Sequence, residues 1–215
     1  MFLSTKSSGF RVRGSGFGAL RTSHLALFAV IFAIVSMSGC SGKRNIGQKA
    51  FFDFDSLVNV QLADLNRTRY ELSKSVEIDG KDEQTRFVPD SAQWANELEI
   101  FRELDQLNKA SFRDAYVISD TRDTNSNLTV REIRAQRPVP VSLVKFYFLN
   151  TPKDLRRIEA TWLEENSLYT NTRRMVMELE PSNNRQILHR YRIEGFQKMV
   201  MDDSVRFVVA GELTR

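Results

Sequence analysis

The chain has 215 residues, a formal net charge of +4, one cysteine and two histidines. Lys6, Arg11, Arg13 and Arg21 are the only charged side chains among the first 39 residues, so they carry the whole basic excess and residues 40–215 are formally neutral. That balance leaves no single-sign field to steer a polyanion and excludes the nucleic-acid-binding class; one cysteine excludes a disulfide framework and a cysteine metal site.

Leu25 to Val35 is an unbroken run of 11 apolar residues behind the basic segment. As a helix it is about 16 Å long against a hydrocarbon core of about 30 Å, too short for a spanning anchor and right for the h-region of a secretory signal. The small residues Ser36, Ser38 and Gly39 follow, and then Cys40. Met37-Ser38-Gly39-Cys40 resembles the lipobox of bacterial lipoproteins, with Met37 where that family more often has Leu. The resemblance implies a signal peptide over 1–39, a diacylglycerol on the Cys40 sulfur, and a mature protein whose first partner is the membrane it is acylated into. The competing reading, a lone buried cysteine in an ordinary anchor helix, fits the short h-region less well. Ser41 after the cysteine resembles sorting signals that place a lipoprotein in the cell envelope on the periplasmic face of the outer membrane.

Residues 40–50, polar and basic with two glycines, read as a flexible tether, and residues 51–215 as a single globular domain. The domain opens with acids at Asp53 and Asp55 and an apolar stripe at Phe54, Leu57, Val58, Leu62, Leu65 and Leu72, which predicts an amphipathic helix of about 18 residues. Asp79-Gly80 between Val76–Ile78 and Thr85–Val88 predicts a small hairpin. Pro89 ends it. Asp90 to Gln93 has the pattern of a capping box, and Trp94, Leu98, Phe101 and Leu104 form the stripe of a second helix ending near Asn108.

From about Tyr116 the apolar period changes from 3.6 to 2. Strands are predicted near 128–136, 143–149, 156–163, 172–180, 186–201 and 204–213, with turn chemistry between them and Gly195 marking a bulge or bend. The expected fold class is α+β: two N-terminal amphipathic helices with a small hairpin, packed on one face of a curved antiparallel meander of about six strands. The order of lipobox, FFDFDSLV helix, WANELEIFRELDQLNKASFRDAY and β-rich C-terminal half also resembles uncharacterised lipoproteins of Bacteroidota, which implies a location and a similar fold but no activity.

Catalytic signatures are missing. No Gly-rich phosphate loop and no G-x-S-x-G elbow occurs, and His189 is the single histidine after position 39, so His-pair metal motifs are excluded. Alternation puts His189 on the apolar face with Ile187, Tyr191 and Ile193, as a hydrogen-bonded core histidine. Asp123, Asn125 and Asn127 imitate the start of a calcium loop, but Leu128 stands where the loop needs Gly and Arg134 where it needs Glu. Glu164-Glu165 and Asp202-Asp203 are adjacent carboxylates that point apart on a strand or turn. No enzyme, cofactor or metal is expected.

One parity of the predicted strands is almost wholly apolar, while the other supplies Lys145, Arg157, Glu159, Arg174, Glu178, Arg190, Arg192 and Arg206 to water, with cross-strand Arg and Glu partners expected among them. Two helices cover about 20 Å, whereas six strands present about 24 to 29 Å. The excess width leaves three outcomes: the sheet curls around the helices and closes the core, the Val76 to Val88 hairpin covers the gap, or an apolar cleft remains, with Phe146, Trp162 and Met177 beside it. The expected function is a non-catalytic binding or carrier module for an apolar ligand; the alternative is a structural or assembly lipoprotein docking on an envelope protein partner.

Overall fold

A computed structural model describes residues 49–199 and 203–215; the segment 1–39, Cys40 and most of the tether lie outside the described residues. Helix α1 is Phe54–Arg67. The side chain of Asp53 accepts the Ser56 N–H at 2.9 Å, which fixes its first turn. Helix α2 is Ser91–Arg102, and its capping box is complete: Asp90 accepts from the Gln93 N–H at 2.8 Å and Gln93 accepts from the Asp90 N–H at 2.9 Å. Two 3-10 turns, Glu103–Asn108 and Ala110–Ala115, continue from it.

The strands are β1 (Glu71–Ile78), β2 (Lys81–Phe87), β3 (Tyr116–Arg122), β4 (Thr129–Ala135), β5 (Val141–Phe148), β6 (Leu155–Glu165), β7 (Tyr169–Ser182), β8 (Arg185–Met199) and β9 (Val205–Thr214). All nine form one antiparallel sheet in the order β2-β1-β9-β8-β7-β6-β5-β4-β3. The positive φ angles of Asp79 and Gly80, and of Asn183 and Asn184, make the β1–β2 and β7–β8 connections tight two-residue turns whose twist suits a hairpin.

This overturns the α+β expectation of about six strands with a separate hairpin. The chain is mainly β, and the hairpin belongs to the sheet, because β1 pairs with β9 along its whole length, from Glu71↔Thr214 to Ile78↔Phe207. Leu72 is accordingly a buried strand residue opposite Leu213, and α1 stops at Arg67 after 14 residues. The one strand not anticipated at all, β3, is an edge strand almost wholly exposed, so it carries no buried alternation to read.

α1, α2 and the 3-10 turns lie on one face of the sheet. Phe54, Val58, Leu65, Trp94, Leu98, Phe101, Leu104 and Leu107 form a core cluster with Val144, Phe146, Ile158, Met175, Met177, Leu179, Leu188, Tyr191 and Ile193. The connection from β2 to β3 crosses the sheet from edge to edge. Nine strands span about 38 Å. α2 with its 12 residues supplies about 18 Å. The two six-residue 3-10 turns add about 12 Å each, so the segment reaches across.

The register carries one interruption that matters. Glu178 pairs with Arg190 and Leu179 with Leu188, so His189 is an extra residue in β8. Leu188 therefore enters the core. His189 does not: its side chain keeps 29% of its exposure, with Nε2 3.6 Å from a Glu180 oxygen and 3.9 Å from a Glu212 oxygen. Gly195, by contrast, stays in regular register between Arg173 and Phe207, where the Phe207 ring lies across it.

Candidate functional site

The expected apolar cleft is closed. Phe146, Trp162 and Met177 are 1%, 4% and 0% exposed. Phe146 and Met177 share one transverse row, both pairing with Ile158, and Phe146 is covered by the Phe52 ring at 4.5 Å. Trp162 belongs to a different row. It is sealed by Arg173, whose guanidinium sits 4.8 Å above the ring and is held at 2.9 Å by Glu103 of the first 3-10 turn. The width estimate failed because the helix-facing surface is not apolar out to its edges. It ends in Asp120, Arg122 and Arg131 on one side and in Lys74, Lys81 and Glu83 on the other, so the extra strand width needs no cover. The 3-10 turns also add Leu104 and Leu107 to the lid.

Two candidate cation sites are accounted for by protein contacts. Asp53, Asp55 and Asp105 bring carboxylate oxygens within 4.8 Å of one another. The Lys49 ammonium binds this group, 3.2 Å from Asp55 and ion-paired with Asp105, where a cation would sit. Burial opposes the charge on Lys49, but the bonds to Asp105 and Asp55 outweigh it and raise its pKa. In the 120–127 loop, Asp120 is held by both ends of the Arg131 guanidinium at 2.8 and 2.9 Å, and Asp123 accepts from Ser126 Oγ at 2.6 Å. The Arg131 hydrogen bond holds the Asp120 carboxyl below the usual range. These oxygens fix a hairpin turn and do not converge. Glu164 is engaged by the Tyr169 hydroxyl at 2.5 Å, while Asp202 lies outside the described residues.

Among the described residues, two open features bear on function. The first is the free edge of β3. Gln136 N–H bonds Ala115 C=O, and Asp123 N–H bonds Leu128 C=O. An antiparallel ladder alternates, so Val117, Ser119 and Thr121 bond to β4 while Tyr116, Ile118, Asp120 and Arg122 direct N–H and C=O outward. Val117 and Ile118 are 42% and 54% exposed there. The opposite edge, β2, is guarded by Lys81, Asp82, Glu83 and Arg86.

The second feature is a cavity of about 530 Å³ on the sheet face away from the helices. Its floor follows the register row Gln84, Ser75, Ala210, Arg192, Val176. Its walls carry Arg157, Glu178, Arg190 and Glu212 on one side and Arg174 and Glu194 on the other. The Arg and Glu residues of this face do pair across strands, as with Arg190 and Glu178 at 2.6 Å and Lys145 and Glu132 at 3.4 Å. The sequence reading placed these side chains in water with cross-strand Arg and Glu partners, and did not anticipate the cavity between them. The signal it passed over is the set of small residues Ser73, Ser75, Val176 and Ala210 on the same face, all in the cavity lining.

No protein-family model, curated protein or solved structure matches the chain.

Proposed function

We propose that this chain is a non-catalytic docking module of a bacterial envelope. Acylated Cys40 holds it at the periplasmic face of the outer membrane, and β3 receives an extended strand from an envelope protein partner. The open edge of β3 carries this reading: outward N–H and C=O groups give affinity by strand addition, and Val117 and Ile118, ahead of the polar Ser119–Arg122 half of the strand, give side-chain contact on both faces. Carriage of an apolar ligand is the weaker reading, since Phe146, Trp162 and Met177 are enclosed.

Capture and cross-linking from solubilised envelopes tests it with proline substitutions. Ile118→Pro deletes an outward N–H and leaves the β4 ladder intact, so it should preserve the circular dichroism spectrum and abolish capture. Ser119→Pro removes a ladder bond and should destabilise the hairpin. Undiminished capture by Ile118→Pro would refute docking at β3, as would a dimer in sedimentation showing that the edge pairs with its own copy.

A further inference from the structure

The cavity on the sheet face away from the helices is built asymmetrically with respect to charge. Arg190 binds Glu178 through Nε at 2.6 Å, and Arg192 binds Glu194 through Nε at 2.6 Å. In both residues the terminal Nη groups have no hydrogen-bond partner among the described residues. Arg174 has a single ion pair, 3.6 Å from Glu159, and no hydrogen bond among them. Donors are thus left over. Two of the three lining glutamates are not: Glu178 and Glu194 are committed to those same arginines, and only Glu212, 3.9 Å from His189 Nε2, lacks a closer partner among the described residues, so a cation would have to break existing pairs to gather more than one carboxylate whereas an anion would complete half-used guanidinium forks.

The spacing of the donors sets the class of ligand. Arg190 and Arg192 are two residues apart on one strand, which places their Cα atoms about 7 Å apart on the same face. Arg174 lies on the neighbouring strand opposite Glu194. From β2 to β7 the floor runs about 19 Å across four strand spacings. Its volume of about 530 Å³ is that of a small-molecule site. The only aromatic residue in the lining is Tyr191, buried at 2% exposure, so no ring is free to stack on a base or a sugar.

We infer that this groove binds a small polyanion carrying at least two carboxylate or phosphate groups, with Arg174, Arg190 and Arg192 as its ligating side chains. The neutral balance of residues 40–215 is compatible with this, because recognition is local and the lining arginines outnumber the lining glutamates, four to three.

The test is calorimetric titration of the full chain in detergent with citrate in one arm and pyrophosphate in the other, at constant ionic strength, with acetate as the monoanion control. Saturable binding of citrate or pyrophosphate, at least tenfold tighter than acetate, is expected, and the arm that binds tells carboxylate from phosphate. Arg190→Gln with Arg192→Gln should weaken it at least tenfold. Should that pair fail to fold, Arg174→Gln, which breaks one long ion pair, should weaken it severalfold at an unchanged melting temperature. Arg134→Gln, on the same face outside the groove, should bind as the wild type does. Absence of saturable binding in both arms, affinity unchanged in the groove variants, or equal loss in Arg134→Gln would each overturn the proposal.

Discussion

Gly211→Ala is the most severe single-methyl change the sheet offers. A Cβ at Gly211 would stand 2.4 Å from Tyr191 Cε1, 2.5 Å from Cζ and 2.7 Å from the hydroxyl oxygen. The ring has nowhere to retreat. Tyr191 is 2% exposed, pairs with Met177 on its other side, meets Phe101 edge to face at 6.3 Å, and its hydroxyl donates to Glu97 at 2.5 Å. Overpacking of this kind costs about 1–3 kcal/mol. Loosening a hydrogen bond to a charged acceptor adds about 1.5–3 kcal/mol. Against these stands the gain of about 0.5–1 kcal/mol for replacing glycine within a strand. The net expectation is a loss of about 2–5 kcal/mol. Gly195→Ala serves as the internal contrast: its Cβ would meet the far end of the Phe207 ring at 2.0 Å, but Phe207 is only half-buried and can swing outward, so the loss should stay near about 1 kcal/mol. Urea unfolding followed by circular dichroism measures both. A Gly211→Ala variant within 1 kcal/mol of wild type, or one no worse than Gly195→Ala, would refute the claim that the Tyr191 ring is locked.

Two further outcomes follow from groups already described. Burial pushes the Tyr116 phenol up to about 12, and burial followed by the bond to Glu97 pushes Tyr191 higher still. The folded state keeps these protons after the unfolded chain, titrating near its ordinary value of about 10, has lost them. Stability should therefore fall as pH rises from about 10 to about 12, and Tyr116→Phe should flatten that decline in urea midpoints; an identical decline in the variant would count against the assignment. On the membrane side, Cys40→Ala should yield a product without lipid, and incorporation of labelled fatty acid into that variant would sink the proposed anchoring.

Legibility in the sequence followed burial. α1 and α2 announced themselves through Asp53, the Asp90 and Gln93 box, and apolar stripes at helical spacing, which the structure carries except that Leu72 falls in β1 and Leu104 in the first 3-10 turn. The central strands β5 to β7 were equally readable, since alternate residues are buried over Val144–Phe148, Ile158–Trp162 and Met175–Leu179. β3, and the membership of β1 and β2 in the main sheet, were not. Edge strands such as Lys81–Phe87 bury almost nothing, so their composition carries no sign of the partner they pair with. The position of His189 was misread for a different reason: a bulge inserts one residue into an alternation, and nothing in Leu188-His189-Arg190 reveals which residue is extra. The groove was invisible because its floor is assembled from single small residues on different strands, Ser75, Ala210 and Val176, which become neighbours only through register.

The pairing of β1 with β9 ties the start of the domain to its last strand. During synthesis, β3 to β8 form a meander of local hairpins as each strand emerges, but the β1–β2 hairpin has no strand to dock on until Val205–Thr214 has appeared. Leu72 waits through that interval without its cover, Leu213. The sheet is thus closed by the final segment of the chain, so a nascent or C-terminally clipped molecule lacking β9 carries an undocked hairpin and a bare β8 edge, a state with every reason to be held by a chaperone or removed by a protease.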